Sequence, residues 1–417
     1  MTTTKNNEHK ELYFSSEREQ SQVCLNSAEH EKNQGRKVLN VPNLRFKEFQ
    51  GEWEEHLLGN ISDVTKLAGF EFTKYVTYED TGSIIAIRGL NCKNGSLDLR
   101  DVKYIDNSDF SKLSRSKLYV GDILYTYVGT VGEVAVVDKN DKYYLAPNVS
   151  RIRLSKDYNS DFIKQLLGSK KFYNKIVFPL IATSSQPALS MENLRRFKLR
   201  VPSIKEQNKI ASLFNAIDER IATQNKIIED LKRLKSAISE SLFKEVKGDV
   251  VMLSEICKIS KGKQINGEFL SEKGKYYVMN GGTEPSGYYN NYNVEANTIS
   301  ISEGGNSCGY VQFNTTPFWS GGHCYTIQNI VRGVDNLYLY HYLKSKEDAI
   351  MKLRIGSGLP NIQKKELAMF KIKIPLAEQQ KTISTFLSSL ERKTEIEEHI
   401  LNAIQKEKLY LLQHMFI

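Results

Sequence analysis

The eighteen residues FKLRVPSIKEQNKIASLF, starting at Phe197, return as FKIKIPLAEQQKTISTFL at Phe370. A shift of 173 superposes them without a gap, carrying Pro202 onto Pro375, Gln207 onto Gln380 and Ile210 onto Ile383. The register extends upstream to Pro187 with Pro360 and Leu194 with Leu367, and downstream to Ile227 with Ile400, Lys235 with Lys408 and Phe243 with Phe416. Solenoid repeats are roughly 20 to 50 residues long, so a period of this size is a duplication of whole domains. A chain of 417 residues is also too long for one ordinary core. The duplication says how it is divided.

Each copy changes period at its proline. FKLRVP alternates like a strand, Pro202 ends it, and apolar residues then recur with helical spacing as far as Phe243. Ile210, Ile217, Gln224, Leu231 and Ile238 fall seven apart, with Phe214, Ile221, Ile228 and Leu242 on the interleaved row. The second copy gives Ile383, Leu390, Glu397, Ile404 and Leu411, with Leu387, Leu401 and Met415 between. A 3.5-residue apolar period favours coiled-coil pairing, and an antiparallel pair would set Gln224 against Glu397 near the two midpoints. Packing of each helix on its own neighbouring domain is the alternative. Lys209, Lys226 and Lys232 read as a solvated helix face.

The segments before the helices are rich in Tyr, Val, Ile, Thr, Gly and Asn, with short alternating runs such as GDILYTYVGTVGEVAVV and NTISISEGGNSCGYVQF. They read as β-rich globular domains of one fold. Gly129 and Gly132 are echoed by Gly305 and Gly309, and FIKQLLGSK at 162 by YLYHYLKSK at 338. The expected class is therefore α+β, with two β-rich domains alternating with two long helices that pair antiparallel. The expected segments are a flexible extension over 1–40, a first domain over 41–196, a helix over 197–248, a second domain over 249–369 and a helix over 370–417.

Several function classes find no support. No apolar run approaches the roughly 20 residues of a bilayer span, and the polar start MTTTKNNEHK lacks a secretory apolar region, so a cytoplasmic location is expected. Five cysteines, Cys24, Cys92, Cys257, Cys308 and Cys324, form no C-x-x-C pair and read as reduced thiols. Cys308, His323 and Cys324 have no metal-ligand spacing. Pro-Pro is absent, which removes the Asn-Pro-Pro-Tyr-like tetrapeptide of an adenine methyltransferase, and no G-x-x-x-x-G-K-[ST] loop is present. Gly129 and Gly132 of GTVGEV read as turn residues. No catalytic, cofactor-binding or metal residue is expected. The net charge of +9 suggests a polyanionic partner.

The order domain, helix, domain, helix resembles the DNA-specificity subunit of type I restriction-modification enzymes. LRFKEFQGEWEEHLLGNISDV, GDILYTYVGTVGEVAVV, SSQPALSMENLRRFKLRVPSIKEQNKI and its echo GSGLPNIQKKELAMFKIKIPLAEQQKTI carry the resemblance over residues 43–417. It implies two target-recognition domains, each reading half of a bipartite, asymmetric site in double-stranded DNA. It also implies spacer helices that fix the half-site separation and dock two methyltransferase subunits, with restriction and translocase subunits in the same complex. S-adenosylmethionine, ATP and Mg would then belong to the partners. The leader before Val41 is longer than the resemblance implies. The competing reading is a non-catalytic scaffold carrying two β-rich ligand-binding domains.

Arg and Lys suit phosphate or guanine, Asn and Gln suit adenine, and Tyr suits sugar contacts. The expected DNA contacts in the first domain are Lys66, Lys74, Arg88, Asn91, Lys93, Asn94, Lys142, Tyr143 and Asn148. In the second they are Lys261, Lys263, Gln264, Asn280, Thr283, Tyr288, Asn306 and His323.

Overall fold

The computed structural model describes residues 40–93, 95–182, 186–356 and 360–417, together with the backbone of Val23–Leu25, which pairs antiparallel with Leu44–Phe46. The remainder of the expected extension over 1–40 lies outside the described residues. The chain divides into one unit of residues 1–221 with 403–417 and a second of residues 222–402. Two long helices contribute to both, α1 (Ile204–Glu245) and α2 (Ala377–His414).

In the first unit a four-stranded antiparallel sheet has the order Val134–Val136, Ile123–Thr126, Val149–Leu154, Ser62–Lys66. Three further strands, Tyr143–Leu145, Ile85–Ile87 and Lys103–Tyr104, form a mixed sheet whose first pair is parallel. The second unit repeats this plan. Its antiparallel sheet runs Lys258–Lys261, Cys324–Gln328, Thr298–Ser302, Val311–Asn314, and its three-stranded sheet again contains one parallel pair, Tyr276–Met279 with Trp319–Ser320. Alternation in ILYT and TISIS marked the central strands, but these runs are buried, apart from the half-buried Thr298.

The repeated pre-helix strand closes each domain. Lys198–Val201 pairs with Glu54–Leu57, and Lys371–Ile374 pairs with Asp249–Met252, so the last strand lies beside one near the start of the domain. Each proline then releases the chain into its helix. The glutamine five residues on is the fastener. Gln207 Nε2 donates to the Pro202 carbonyl at 2.9 Å while its Oε1 accepts from Asn159 N at 3.0 Å, and Asn159 caps the helix Ser160–Leu167. Gln380 does the same between the Pro375 carbonyl (2.9 Å) and Asp335 N (2.8 Å), which caps Asn336–Ser345.

Each core takes in one end of each long helix. In the first unit Phe214 of α1 packs 5.8 Å from Phe416, just past α2, which lies 5.3 Å from Phe162 and 6.3 Å from Trp53. In the second, Phe243 of α1 lies 5.7 Å from Tyr338 and 5.2 Å from Tyr342, in a core with Ile383 and Leu387 of α2. Ile210, Phe214 and Ile383, expected in the helix seam, thus belong to domain cores as well, because the helix ends serve as core elements. Burying a side chain of this size contributes roughly 1.5–3 kcal/mol.

Within each unit the helices run antiparallel. In the second, Gln224 Nε2 donates to Glu397 Oε2 at 2.5 Å and to its carbonyl at 3.1 Å, with Lys232 on Glu398 (2.6 Å) and Lys235 on Glu391 (2.7 Å). In the first, Lys408 pairs with Asp218 at 2.5 Å. Gln224 is 1% exposed. Ile217, Leu231, Leu390, Glu397, Ile404 and Leu411 are half-buried, as a two-helix seam open along its sides requires. Asp218 and Glu391 occupy the same repeat position, and each also accepts from its own domain, Asp218 from Gln165 Nε2 (3.0 Å) and Glu391 from the Tyr340 hydroxyl (2.9 Å).

Candidate nucleic-acid interface

One loop system recurs in both domains. Gly129 N donates to the Pro187 carbonyl at 2.9 Å, and Gly305 N to the Pro360 carbonyl at 3.0 Å. Ala182 bridges Ala188, and Ile355 bridges Asn361, at positions related by the repeat. Gly129 and Gly305 hold φ of +81° and +75°, a left-handed backbone that glycine adopts without a Cβ penalty.

Beside this loop each domain builds the same three-position cluster. The first position is the lysine that ends the edge strand, Lys66 or Lys261. The second follows the central strand, at Tyr127 or Glu303, and the third precedes the strand between them, at Asn148 or His323. One backbone bond ties the second to the third, Tyr127 N to the Asn148 carbonyl (3.1 Å) and Glu303 N to the His323 carbonyl (2.9 Å). The side chains differ. Lys66 Nζ stands 5.3 Å over the Tyr127 ring, a cation–π contact, whereas Lys261 Nζ lies 2.6 Å from Glu303 Oε1. Asn148, at φ +73°, is exposed, and so is His323, with its backbone N donating to Asn280 Oδ1 at 3.1 Å.

The second domain gathers more of its expected contacts. Gly321 and Gly322 leave room for Asn280 and Gln264, since a Cβ on either would collide with those side chains. Lys261, Gln264, Asn280 and His323 therefore converge on one turn. Lys263, Thr283, Tyr288 and Asn306 are exposed, and Lys263 N donates to the Ser320 carbonyl at 2.9 Å beside this turn.

In the first domain Lys74 is exposed on the short helix Gly69–Tyr75, Lys93 is exposed 3.6 Å from Asp98, and Lys142 is half-buried. Arg88 is held by Asp101, donating to its carboxylate (2.7 Å) and carbonyl (2.9 Å). Asn94 lies outside the described residues. Two expectations are corrected. Asn91 is fully buried, donating to the Asp98 and Asp101 carbonyls and accepting from Arg88 N, so its amide is spent on its own loop. Tyr143 is fully buried in its strand, and its hydroxyl cannot reach a duplex.

Sequence reasoning missed the second position of the cluster in both domains, Tyr127 and Glu303. At Glu303 an acidic side chain argues against DNA contact, and the only available signal was its place after the alternating TISIS, beside the paired glycines. Among the described residues no group of His, Cys, Asp and Glu is arranged to hold a metal ion, and no helix is long and apolar enough to cross a membrane. Cys92 and Cys257 are buried thiols whose pKa burial pushes up to about 12.

The family model described as the type I restriction modification DNA specificity domain matches residues 50–233 and 245–406. The type I restriction enzyme MjaX specificity subunit of Methanocaldococcus jannaschii, so designated, is 23% identical over 421 aligned positions, covering 89% of this chain and 94% of that protein. The EcoKI specificity subunit of Escherichia coli K12 is 24% identical over 172 positions, 39% of this chain and 37% of that one. A crystal structure of a type I restriction-modification S subunit from M. genitalium superposes with a TM-score of 0.65 at 18% identity, covering 90% of this chain and 99% of that one. A chain from a structural study of type I complex assembly gives 0.53 at 16%, with 87% and 97% covered.

Proposed function

Because the chain belongs to the type I restriction-modification DNA specificity family, we propose that each of its two domains reads one half of a bipartite DNA site, the two halves differing in sequence. The observation that carries this is the paired cluster, Lys66–Tyr127–Asn148 in one domain and Lys261–Glu303–His323 in the other. The backbone scaffold is the same and the side chains differ, which suits two readers of unlike half-sites. Lysine at the same place in both would hold phosphate, which positions the protein without specifying sequence. Exposed Asn and Gln side chains near it are of the type that discriminates base edges.

On this reading the chain is a non-catalytic subunit. Two methyltransferase subunits dock on the helices, one per copy of the repeat, alongside restriction and translocase subunits, and S-adenosylmethionine, ATP and Mg act in those partners. The helices set the gap between half-sites. The 42 residues of α1, at about 1.5 Å each, are comparable in length to two turns of duplex at about 34–36 Å. The test exchanges residues 44–196 for the first domain of another family member and maps methylated adenines across the genome. One half-site should change and the other persist. Change in both, or in neither, would refute the assignment of one domain to one half-site.

A further inference from the structure

Glu303 is 8% exposed, yet one of its two carboxylate oxygens lacks a hydrogen bond among the described residues. Oε1 accepts from Lys261 Nζ at 2.6 Å and from the Tyr325 hydroxyl at 3.0 Å. Oε2 is buried and accepts no hydrogen bond among the described residues, with His323 Nδ1 at 3.7 Å. A buried acceptor left without a donor is destabilising, the more so when charged. The backbone cannot relax to relieve it. Glu303 N is bound to the His323 carbonyl, and its own carbonyl accepts from Ile362 N (2.8 Å) and Cys308 Sγ (3.0 Å). The group that can move is the imidazole, on a side chain 63% exposed.

We infer that His323 is a proton-linked phosphate clamp: as an imidazolium it donates Nδ1–H to Glu303 Oε2 and Nε2–H to a DNA phosphodiester oxygen, beside Lys261 on the same phosphate. The inference rests on the DNA-reading function proposed above. The chemistry is that of an imidazolium held between two anions. The neutral ring has a single N–H and cannot donate to both, so binding DNA here takes up one proton. The carboxylate supplies what an isolated surface histidine lacks, a fixed acceptor that orients the ring. Lys261 and His323 together carry one more positive charge than Glu303 cancels, which leaves the cluster attractive to phosphate.

The other charged and titratable groups that interact with this pair do not compete for the proton. They are Lys261 on the edge strand, Tyr325 and Cys324 on the strand after His323, Cys308 on the loop after Glu303, and Arg354 beyond Cys308. Burial raises Tyr325 and Cys308 above their ordinary values and pushes Cys324 up to about 11. Imidazole is the side chain that changes charge between about pH 5 and 8. The first domain provides an internal control, because its corresponding residue, Asn148, does not titrate.

The experiment measures binding of the full chain, with whatever subunits copurify, to a duplex carrying its mapped site and to a scrambled duplex, between about pH 6 and pH 8. Wild-type affinity should rise about tenfold as pH falls, for one proton taken up. His323→Asn, which installs the residue of the first domain, should remove that rise and lower the salt slope by about one on both duplexes. Glu303→Gln, which keeps acceptors for Lys261 and Tyr325, should flatten the pH dependence while the fold survives. If wild type shows no salt-sensitive DNA binding, the function itself is wrong. If it binds DNA but both variants keep the wild-type pH slope, only the clamp is refuted. A new base preference in His323→Asn would assign the ring to a base edge and refute the phosphate contact.

Discussion

Protonation of His341 should weaken the junction between the second domain and α2. This histidine is 2% exposed on Asn336–Ser345, with Nε2 2.9 Å from Ser388 Oγ of α2. Burial pushes its pKa down to about 4, against the opposing pull of Glu391. An unfolded histidine titrates near 6.5. Above that value neither state holds the proton and stability is complete. As pH falls from about 6.5 toward 4, the unfolded chain takes up a proton that the folded one refuses, and stability drops by about 1.4 kcal/mol per unit. Between pH 7 and 5 the loss is about 2 kcal/mol, or about 4–8 °C in the melting temperature of a unit this size. Calorimetry of wild type and His341→Gln across that range isolates the effect, since the variant has no imidazole to titrate. Its melting temperature should be nearly flat over the interval where wild type falls. Parallel curves for the two proteins would refute the argument, whatever their difference at pH 7.

Two further perturbations address the frame. Replacing both Gln224 and Glu397 by Leu exchanges a buried glutamine and its half-buried carboxylate partner for apolar packing; it should raise the unfolding free energy in urea by about 1–2 kcal/mol and permit misregistered or intermolecular helix pairing, seen by cross-linking and light scattering. A less stable double variant that stays uniquely paired would refute this. Gln207→Ala strands the Pro202 carbonyl and Asn159 N, and should cost about 2–4 kcal/mol in urea unfolding of the first unit, with Gln380→Ala its counterpart in the second.

The repeat and its 3.5-residue period made the helices legible, and antiparallel pairing of duplicated helices brings equivalent midpoints together, hence Gln224 and Glu397. The sequence could not show that Ile210, Phe214 and Ile383 also serve as core of the domains, because a heptad position does not reveal what covers it. The candidate interface was legible by residue type but not by burial. Tyr143 sits in YYL, and either tyrosine of such a run can face inward. Asn91 looks like a loop amide free for adenine, yet a tight turn needs its amide to satisfy two carbonyls. Glu303 was invisible for the opposite reason. Its sign is wrong for DNA, and its role depends on a lysine 42 residues away and a histidine brought alongside by strand pairing.

What the two copies share and where they differ separates two tasks. Pro202 and Pro375, Gln207 and Gln380, Gly129 and Gly305, and Pro187 and Pro360 are identical across the repeat, and each makes the same bond in its own unit. Asp218 with Lys408 and Glu391 with Lys235 keep charge while changing length. All of these bonds lie within a domain, or join a domain or one helix to the next helix. The cluster beside the glycine loop keeps only its lysine; its second and third positions change from Tyr and Asn to Glu and His. Fasteners that act through backbone atoms of fixed geometry accept one side chain, whereas at the cluster one backbone bond holds different side chains, buried at the second position and exposed at the third. On the proposed reading, a duplicated frame of this kind would let one domain acquire a new half-site while the bonds that seat it on the helices stay as they are.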